Sequence, residues 1–173
     1  MGRDKALLPW NSASLVEDVA ARVNSAAGNV ALLGDPARYG HLGYDCLPDQ
    51  RHGFGPLAGV ETALLCNRGD LNLITACDMP GLKTAWLQLL LTAATESRAR
   101  CTLLLDSNGG KQPLCAVYRT DCLRDVQQAL EEGRLKLMDL VAQLDALCIA
   151  VPDLVPNINT PEEWSAWQHA GVQ

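Results

Sequence analysis

The fold is decided by one stretch near the middle of the chain, Leu71-Asn72-Leu73-Ile74-Thr75-Ala76-Cys77-Asp78-Met79-Pro80. Its first six residues form a short, mostly apolar run that is bounded by turn-forming residues. Such a run is typical of a strand buried on both faces of a parallel sheet. Because an aspartate and a proline end the run, the stretch predicts a buried strand with a carboxylate just beyond its carboxyl end.

Runs of the same kind recur on both sides of this stretch and alternate with helical patterns. Strands are predicted at residues 29–33, 44–47, 101–105, 113–118 and 147–151. Helices are predicted from Leu15 after the capping-box pair Ser14 and Glu17, and at residues 86–95, 121–131 and 135–144, from Pro56 and from Pro161. This alternation predicts a three-layer, Rossmann-like α/β fold with a mixed, mostly parallel sheet and helices on both faces. The turn at Asn108-Gly109 adds an antiparallel strand.

Length and charge narrow the class of protein further. The 173 residues match one domain, which we expect to span residues 1–173, and 48% of them are hydrophobic. A net charge of −6 argues against nucleic acid or an anionic membrane as partner. The seven cysteines contain no C-x-x-C pair, so reduced core thiols are expected rather than a zinc site or disulfides. Without a signal peptide or a membrane-length apolar run, a cytoplasmic protein is expected.

Ligands of open α/β sheets bind beyond the carboxyl ends of the strands. Asp49 and Asp78 follow two of the predicted strands, and Asn157 and Asn159 follow the last one. Lys5 precedes the first helix, and the segment Gly53-Phe54-Gly55-Pro56-Leu57 enters the second. Asp78 is placed to hold Mg²⁺ against a phosphate, Lys5 can neutralise phosphate charge, and the helix start can direct N–H groups at an anion.

Each of these residues also has a purely structural interpretation. Aspartates such as Asp49 and Asp78 are common in turns and caps, and a few glycines can simply make a tight turn. Lys5 can be a solvated surface lysine, and the segment from Asn157 to Asn159 can be a loop before a helix. Taken one at a time, the residues leave both interpretations open.

Taken in order, however, the motifs resemble those of the molybdenum-cofactor guanylyltransferases. The matching segments span nearly the whole chain: residues 1–8 (Met-Gly-Arg-Asp-Lys-Ala-Leu-Leu), Asp49 followed by Gly55-Pro56-Leu57-Ala58-Gly59, Cys77-Asp78-Met79-Pro80, Pro113-Leu114-Cys115-Ala116-Val117-Tyr118, and Asn157-Ile158-Asn159-Thr160-Pro161-Glu162. Cytidylyltransferases of molybdenum-cofactor maturation share the lysine and the Cys-Asp-x-Pro element, whereas the other elements are closer to the guanylyl branch.

The resemblance implies a fold like that of the nucleotide-diphospho-sugar transferases and a reaction. GMP passes from GTP to molybdopterin, which forms the guanine dinucleotide cofactor and releases pyrophosphate. Lys5 and Asp78 are the implied catalytic residues, with Asp78 as the Mg²⁺ ligand. The implied GTP site contains Lys5, Asp49, Asp78, Gly55, Pro56 and Leu57, and the implied molybdopterin site contains Pro113, Leu114, Tyr118, Asn157 and Asn159. Other enzymes of cofactor biosynthesis or acceptor enzymes are the implied protein partners.

The chain departs from the family pattern in two places. The family begins with a strand and the loop Leu-Ala-Gly-Gly-x-x-x-Arg-Met-Gly, whose backbone holds the nucleotide phosphates, whereas this sequence begins at the Met-Gly. It is therefore expected to be truncated at its N-terminus and to lack a central strand. Leu33-Gly34-Asp35 also stands where the family often has an asparagine. These departures leave two alternatives: a non-catalytic molybdopterin-binding remnant, or a related cytidylyl or sugar-phosphate nucleotidyltransferase.

Overall fold

The structure, a computed structural model, describes residues 4–10, 12–66, 68–153 and 163–165. The helices are α1 (Leu15–Ala27), α2 (Pro36–Tyr39), α3 (Pro56–Leu65), α4 (Thr84–Glu96), α5 (Leu123–Glu131) and α6 (Leu137–Gln143). The strands are β1 (Pro9–Trp10), β2 (Ala13–Ser14), β3 (Ala31–Leu33), β4 (Asp45–Leu47), β5 (Leu71–Thr75), β6 (Cys101–Leu105), β7 (Lys111–Arg119) and β8 (Leu147–Ala150). Short 3-10 turns lie at Lys5–Leu7, Gly40–Leu42 and Thr120–Cys122.

The strands form two main sheets and one small hairpin. Four strands pair in the order β5-β7-β6-β8, and β7 is antiparallel to both of its neighbours while β6 and β8 are parallel. Strands β3 and β4 form a separate parallel pair, and β1 and β2 form the hairpin. Because β7 reverses direction after the turn at residues 107–110, the predicted antiparallel strand is confirmed.

Helices cover both faces of the sheet, as the apolar periodicity predicts. On one face, side chains of α3, α5 and α6 pack on β7 through Ala116 and Tyr118. On the other face, α1 and α4 pack on the same strand through Cys115 and Val117. Successive side chains of a strand point to opposite faces, so β7 joins the two cores. The three-layer α/β fold predicted from the sequence is confirmed.

Most predicted elements lie within a few residues of those observed, and the differences are local. The expected helix at residues 121–131 begins with a 3-10 turn and becomes α-helical only at Leu123. The hairpin β1–β2 has no counterpart in the sequence prediction, because two-residue strands carry no periodicity. Asn157, Asn159 and Pro161, at the predicted last loop and helix, lie outside the described residues.

A large cavity separates β3 from β5. Its volume is about 800 Å³, and it is lined by consecutive residues of both strands, 29–33 and 71–78. Alternate residues of a strand point to opposite faces of its sheet. Because consecutive residues line the cavity, it borders the edge of each strand rather than one face. α1 and α3 line it as well. In the described part of the chain, β3 pairs only with β4 and β5 only with β7, so the facing edges have no strand partner. We call this cavity the slot.

Within the described ranges, no helix is both long enough and apolar enough to span a bilayer. All seven cysteines are free thiols, and Cys101, Cys115 and Cys122 are buried. Burial raises the pKa of Cys101 and Cys115 to about 12, so these thiols stay protonated at neutral pH. This matches the expectation of small hydrophobic core residues.

Candidate functional site

Asp78 lies just beyond the carboxyl end of β5, where the chain turns before Met79 is buried in the core. Its side chain is half-buried and lines the slot. Burial raises the pKa of Asp78 above its ordinary value, although a backbone hydrogen bond and the charge of Lys5 act in the opposite direction. The site therefore holds a carboxylate that is short of positive charge, which is the condition in which a cation or a proton is bound.

Lys5 is the first residue of the 3-10 turn that opens the described chain. Its charge lowers the pKa of both Asp78 and the neighbouring Cys77 thiol, so its ammonium group lies near both residues. Burial and the charge of Asp78 nonetheless raise the pKa of Cys77 to about 11, which keeps this thiol protonated and unreactive at neutral pH. The structure thus places the charge of Lys5 within electrostatic range of Asp78.

The turn that carries Lys5 is fixed by Asp4, a residue for which the sequence analysis assigned no role. One carboxylate oxygen of Asp4 accepts a hydrogen bond from the Ala6 N–H at 3.1 Å. The other accepts from the Tyr39 hydroxyl at 2.6 Å and from Arg38 Nη1 at 3.1 Å. The sequence offers no signal for this contact, because Asp4 and Tyr39 are 35 residues apart and no motif contains both.

Asp49 follows β4 and also lines the slot. Its Oδ1 lies 4.0 Å from the position that a Cβ on Gly59 would take, so the carboxylate packs against the first turn and a half of α3. Two contacts hold the loop around it: Gln50 N–H donates to Thr62 Oγ1 at 3.2 Å, and Arg51 Nε donates to Glu61 Oε2 at 3.0 Å. Glu61 is only 2% exposed. The sequence does carry a signal for this contact, because Glu61 is a charged residue on the buried face of a largely apolar helix.

Gly55 and Pro56 set the start of α3. Gly55 has φ +64 and ψ −157, a conformation that essentially only glycine adopts, and Pro56 occupies the first helical turn. Both residues are exposed, whereas Leu57 is fully buried in the core. The Leu57 side chain therefore serves packing, and what this residue can offer a ligand is its backbone N–H at the positive end of the helix.

The predicted pterin-facing strand residues divide into two groups. Leu114 lines the slot, and its carbonyl accepts from the Ala76 N–H at 2.8 Å, so Pro113 and Leu114 lie at the same sheet edge as Asp78. Tyr118 pairs with Asn72 near the opposite end of β5, and its side chain is fully buried. Its hydroxyl donates to the Pro113 carbonyl at 2.8 Å. The Tyr118 side chain is buried away from any ligand and can affect one only indirectly, by holding Pro113. Asn157 and Asn159 lie outside the described residues.

The described residues contain no cluster of three or more histidine, cysteine, aspartate or glutamate side chains that could hold a metal alone. A divalent ion at Asp78 would need further oxygen ligands from water or a substrate. This suits Mg²⁺, which proteins usually hold through one or two carboxylates together with substrate phosphates. The arrangement as a whole is a carboxylate, a lysine and a helix start around the carboxyl edge of a sheet, which can bind and orient a polyphosphate.

Comparison with known proteins gives a consistent result. Residues 1–147 match the family described as the MobA-like NTP transferase domain. A probable molybdenum cofactor guanylyltransferase of Deinococcus radiodurans is 34% identical over 165 residues, which cover 94% of this chain and 84% of the relative. A protein of the same name from Flavobacterium johnsoniae is 28% identical over 167 residues, covering 94% and 87%. The fold resembles that of molybdopterin-guanine dinucleotide biosynthesis protein A from Archaeoglobus fulgidus, with a TM-score of 0.82 at 20% identity, over 98% of this chain and 91% of the other.

Proposed function

Because the chain belongs to the family of MobA-like NTP transferase domains, we propose that it transfers GMP from GTP to molybdopterin. The products are the guanine dinucleotide form of the molybdenum cofactor and pyrophosphate. The observation that carries the proposal is that Asp49 and Asp78 line the same slot as the start of α3, with the charge of Lys5 in electrostatic range of Asp78. The names of the curated relatives supply the substrates.

In the proposed reaction an oxygen of the pterin phosphate attacks the α-phosphorus of GTP. The new bond is between that oxygen and the α-phosphorus, and the bond from the α-phosphorus to the bridging oxygen of the β-phosphate breaks. The electron pair leaves with pyrophosphate. The protein's task is to position the two phosphates and to offset their charge, since no covalent enzyme intermediate is needed.

Each residue of the proposed GTP site has a separate role that follows from its chemistry. Lys5 offsets charge on the triphosphate, and the backbone N–H groups at the start of α3 donate to it, with Gly55 and Pro56 leaving the helix end open. Asp49 lies beside that helix start and is assigned to the nucleotide. Asp78 would hold Mg²⁺, which supplies further charge neutralisation at the phosphates when bound. Burial of Asp78 without enough compensating charge supports this assignment.

The pterin is assigned to the opposite side of Asp78. Pro113 and Leu114 lie in β7, the strand that borders β5, and are half-buried at the same edge. Tyr118 supports that edge from the core through its bond to the Pro113 carbonyl. Asn157 and Asn159 remain assigned to the pterin on the sequence resemblance alone. The free, protonated thiols are consistent with a cytoplasmic site for the reaction, where thiols stay reduced.

We also propose that residues 1–173 form one nucleotidyltransferase domain whose sheet takes one more strand in the slot. Two backbone edges face each other there without strand partners among the described residues, between helices on both faces. The carboxyl end of β5 leads to Asp78, whose pKa burial raises and the charge of Lys5 acts to lower. The carboxyl end of β3 leads to α2, whose Tyr39 donates a hydrogen bond to Asp4. Both strands therefore point towards the same 3-10 turn, and a strand parallel to them would deliver its carboxyl end beside Lys5.

The direct test is GTP-dependent release of pyrophosphate with molybdopterin as acceptor. We expect turnover that Asp78→Asn lowers by about 100-fold or more and Lys5→Ala by about 10-fold or more, because each removes a group that offsets developing charge. Asp139→Asn and Lys136→Ala, two exposed positions at the start of α6, are the matched controls and should leave turnover unchanged. Pterin binding without GTP turnover would reject the proposal, and faster turnover with CTP would correct its nucleotide.

A further inference from the structure

Lys5 and Asp78 can act together only if the 3-10 turn that carries Lys5 is held in place. The turn has three residues and a single buried side chain, Ala6, so packing alone fixes it weakly. Asp4 caps it: Oδ1 accepts from the Ala6 N–H, and the Asp4 carbonyl accepts from the Leu7 N–H at 3.2 Å. The position of Lys5 therefore follows the position of the Asp4 carboxylate.

The Asp4 carboxylate is itself tied to α2. Tyr39 donates its hydroxyl to Asp4 Oδ2 at 2.6 Å, within the range of a charge-assisted hydrogen bond, and Arg38 reaches the same oxygen at 3.1 Å. Burial alone would raise the pKa of Asp4, but the bonds from Tyr39, the Ala6 N–H and Arg38 outweigh burial and lower it. Because the Arg38 side chain is 58% exposed, its ion pair is screened by water and Tyr39 makes the stronger tie.

Tyr39 is in turn held by the end of β3. The ring lies over Gly34 so closely that a Cβ on Gly34 would stand 2.8 Å from Tyr39 Cε2. Gly34 N–H donates to the Leu47 carbonyl at 2.9 Å, which fixes the glycine to β4. A continuous set of contacts thus runs from the β3–β4 pair through Gly34, Tyr39 and Asp4 to the turn that carries Lys5.

On this geometry, and resting on the proposed function, we propose that Tyr39 is a positioning residue for the nucleotide site. It acts through Asp4 to hold the 3-10 turn that carries Lys5 and does not touch the substrate. Burial and the bond to Asp4 raise the pKa of Tyr39 to about 12, so the hydroxyl remains a donor throughout the usual assay range. The Tyr39–Asp4 hydrogen bond thus joins α2, which follows β3, to the turn that carries Lys5.

The test variant is Tyr39→Phe, which keeps the ring over Gly34 and removes only the hydroxyl. Hydrogen exchange of the Ala6 and Leu7 amides should speed up about three- to tenfold, and kcat/KM for GTP should fall by a similar factor, as expected for loss of one hydrogen bond. Tyr44→Phe is the matched control, because Tyr44 is a half-buried tyrosine of the same apolar cluster that does not bind Asp4. It should change neither readout.

A double-mutant cycle with Lys5→Ala separates positioning from general stabilisation. If Tyr39 acts through Lys5, Tyr39→Phe should have no further effect on kcat/KM in the Lys5→Ala background. An equal loss in both backgrounds, or unchanged exchange at Ala6 and Leu7, would overturn the inference. If Lys5→Ala leaves turnover intact, or no turnover exists, the proposed function fails. The exchange measurement still decides whether Tyr39 holds the turn, because it requires no activity.

Discussion

At the scale of single residues, the candidate site depends on carboxylates in unlike surroundings. Asp4 receives three hydrogen bonds, which lower its pKa, whereas burial raises the pKa of Asp78. Asp4 is thus a satisfied structural anion, and Asp78 is an anion that still lacks full compensation. This contrast separates a residue that holds the site together from one that is available to a ligand.

The contact between Gly34 and Tyr39 gives a prediction at this scale. Gly34→Ala places a methyl group 2.8 Å from the Tyr39 ring, at a residue whose φ of +154 disfavours any side chain. We expect a loss of about 2 kcal/mol or more in the free energy of unfolding, measured by urea denaturation. Gly40→Ala is the control, since Gly40 has an α-helical φ of −61 and open space around it. Equal losses in the two variants would contradict the prediction.

At the scale of elements, the start of α1 shows how a local motif fixes a boundary. Glu17 Oε2 accepts from the Ser14 N–H at 2.8 Å and from the Ser14 hydroxyl, as the capping-box pattern predicts. The helix ends at Gly28, whose φ of +79 is the left-handed conformation common at helix C-termini. Both ends of α1 are therefore specified by residues within the helix and its immediate neighbours.

The same capping pair predicts a pH dependence. The hydrogen bonds from the Ser14 hydroxyl and N–H lower the pKa of Glu17 below its ordinary value of 4.5. The carboxylate therefore stabilises the fold above that value, and the contribution is lost as pH falls through the lowered pKa. Glu17→Gln should lower the free energy of unfolding by about 0.5–1 kcal/mol at neutral pH and have no effect in strong acid.

Thermal unfolding at several pH values measures this difference. Glu96→Gln is the matched control, because Glu96 is the last residue of α4, where the helix dipole has the opposite sign. That substitution should leave stability unchanged or raise it slightly at neutral pH. A Glu17→Gln effect that is the same at every pH would contradict the role of the charged carboxylate.

At the scale of the whole molecule, the slot is the feature on which the proposed architecture depends. It has a volume of about 800 Å³ and apolar walls from α1 and α3, and it lies between the two main sheets. Strand edges without partners, next to apolar surface, favour pairing with another chain. The slot is thus the place where the proposed extra strand would fit. Its unpaired edges also make it the part of the described fold most open to pairing with another chain.

Supplying that strand should stabilise the protein. An apolar segment of about five residues, joined ahead of Met1 through a short glycine-rich loop, should pair with β3 and β5. Burying each Val or Leu side chain contributes about 1.5–3 kcal/mol, while ordering each residue costs about 1–2 kcal/mol. We therefore expect a net gain of a few kcal/mol and a higher Tm, with slower hydrogen exchange along Ala31–Leu33 and Leu71–Thr75.

A segment of the same length that alternates serine and aspartate is the control, because it cannot fill an apolar slot. It should leave Tm and exchange unchanged. If the apolar segment leaves the exchange of β3 and β5 unchanged, or if both segments act alike, the slot does not accept a strand. The result is independent of catalysis, so it tests the architecture separately from the proposed reaction.

The sequence by itself determined the kind and order of most elements, and it singled out Lys5, Asp49 and Asp78. Those features are local: apolar runs, capping residues and acids after strands depend on neighbours within a few positions. The tertiary structure decided which residues meet. It brought the charge of Lys5 within electrostatic range of Asp78, joined Asp4 to Tyr39 by a hydrogen bond and buried Tyr118 in the core. It also left the facing edges of β3 and β5 without a strand partner in the described residues. Such contacts join positions far apart in the chain, and their geometry exists only after the elements have packed.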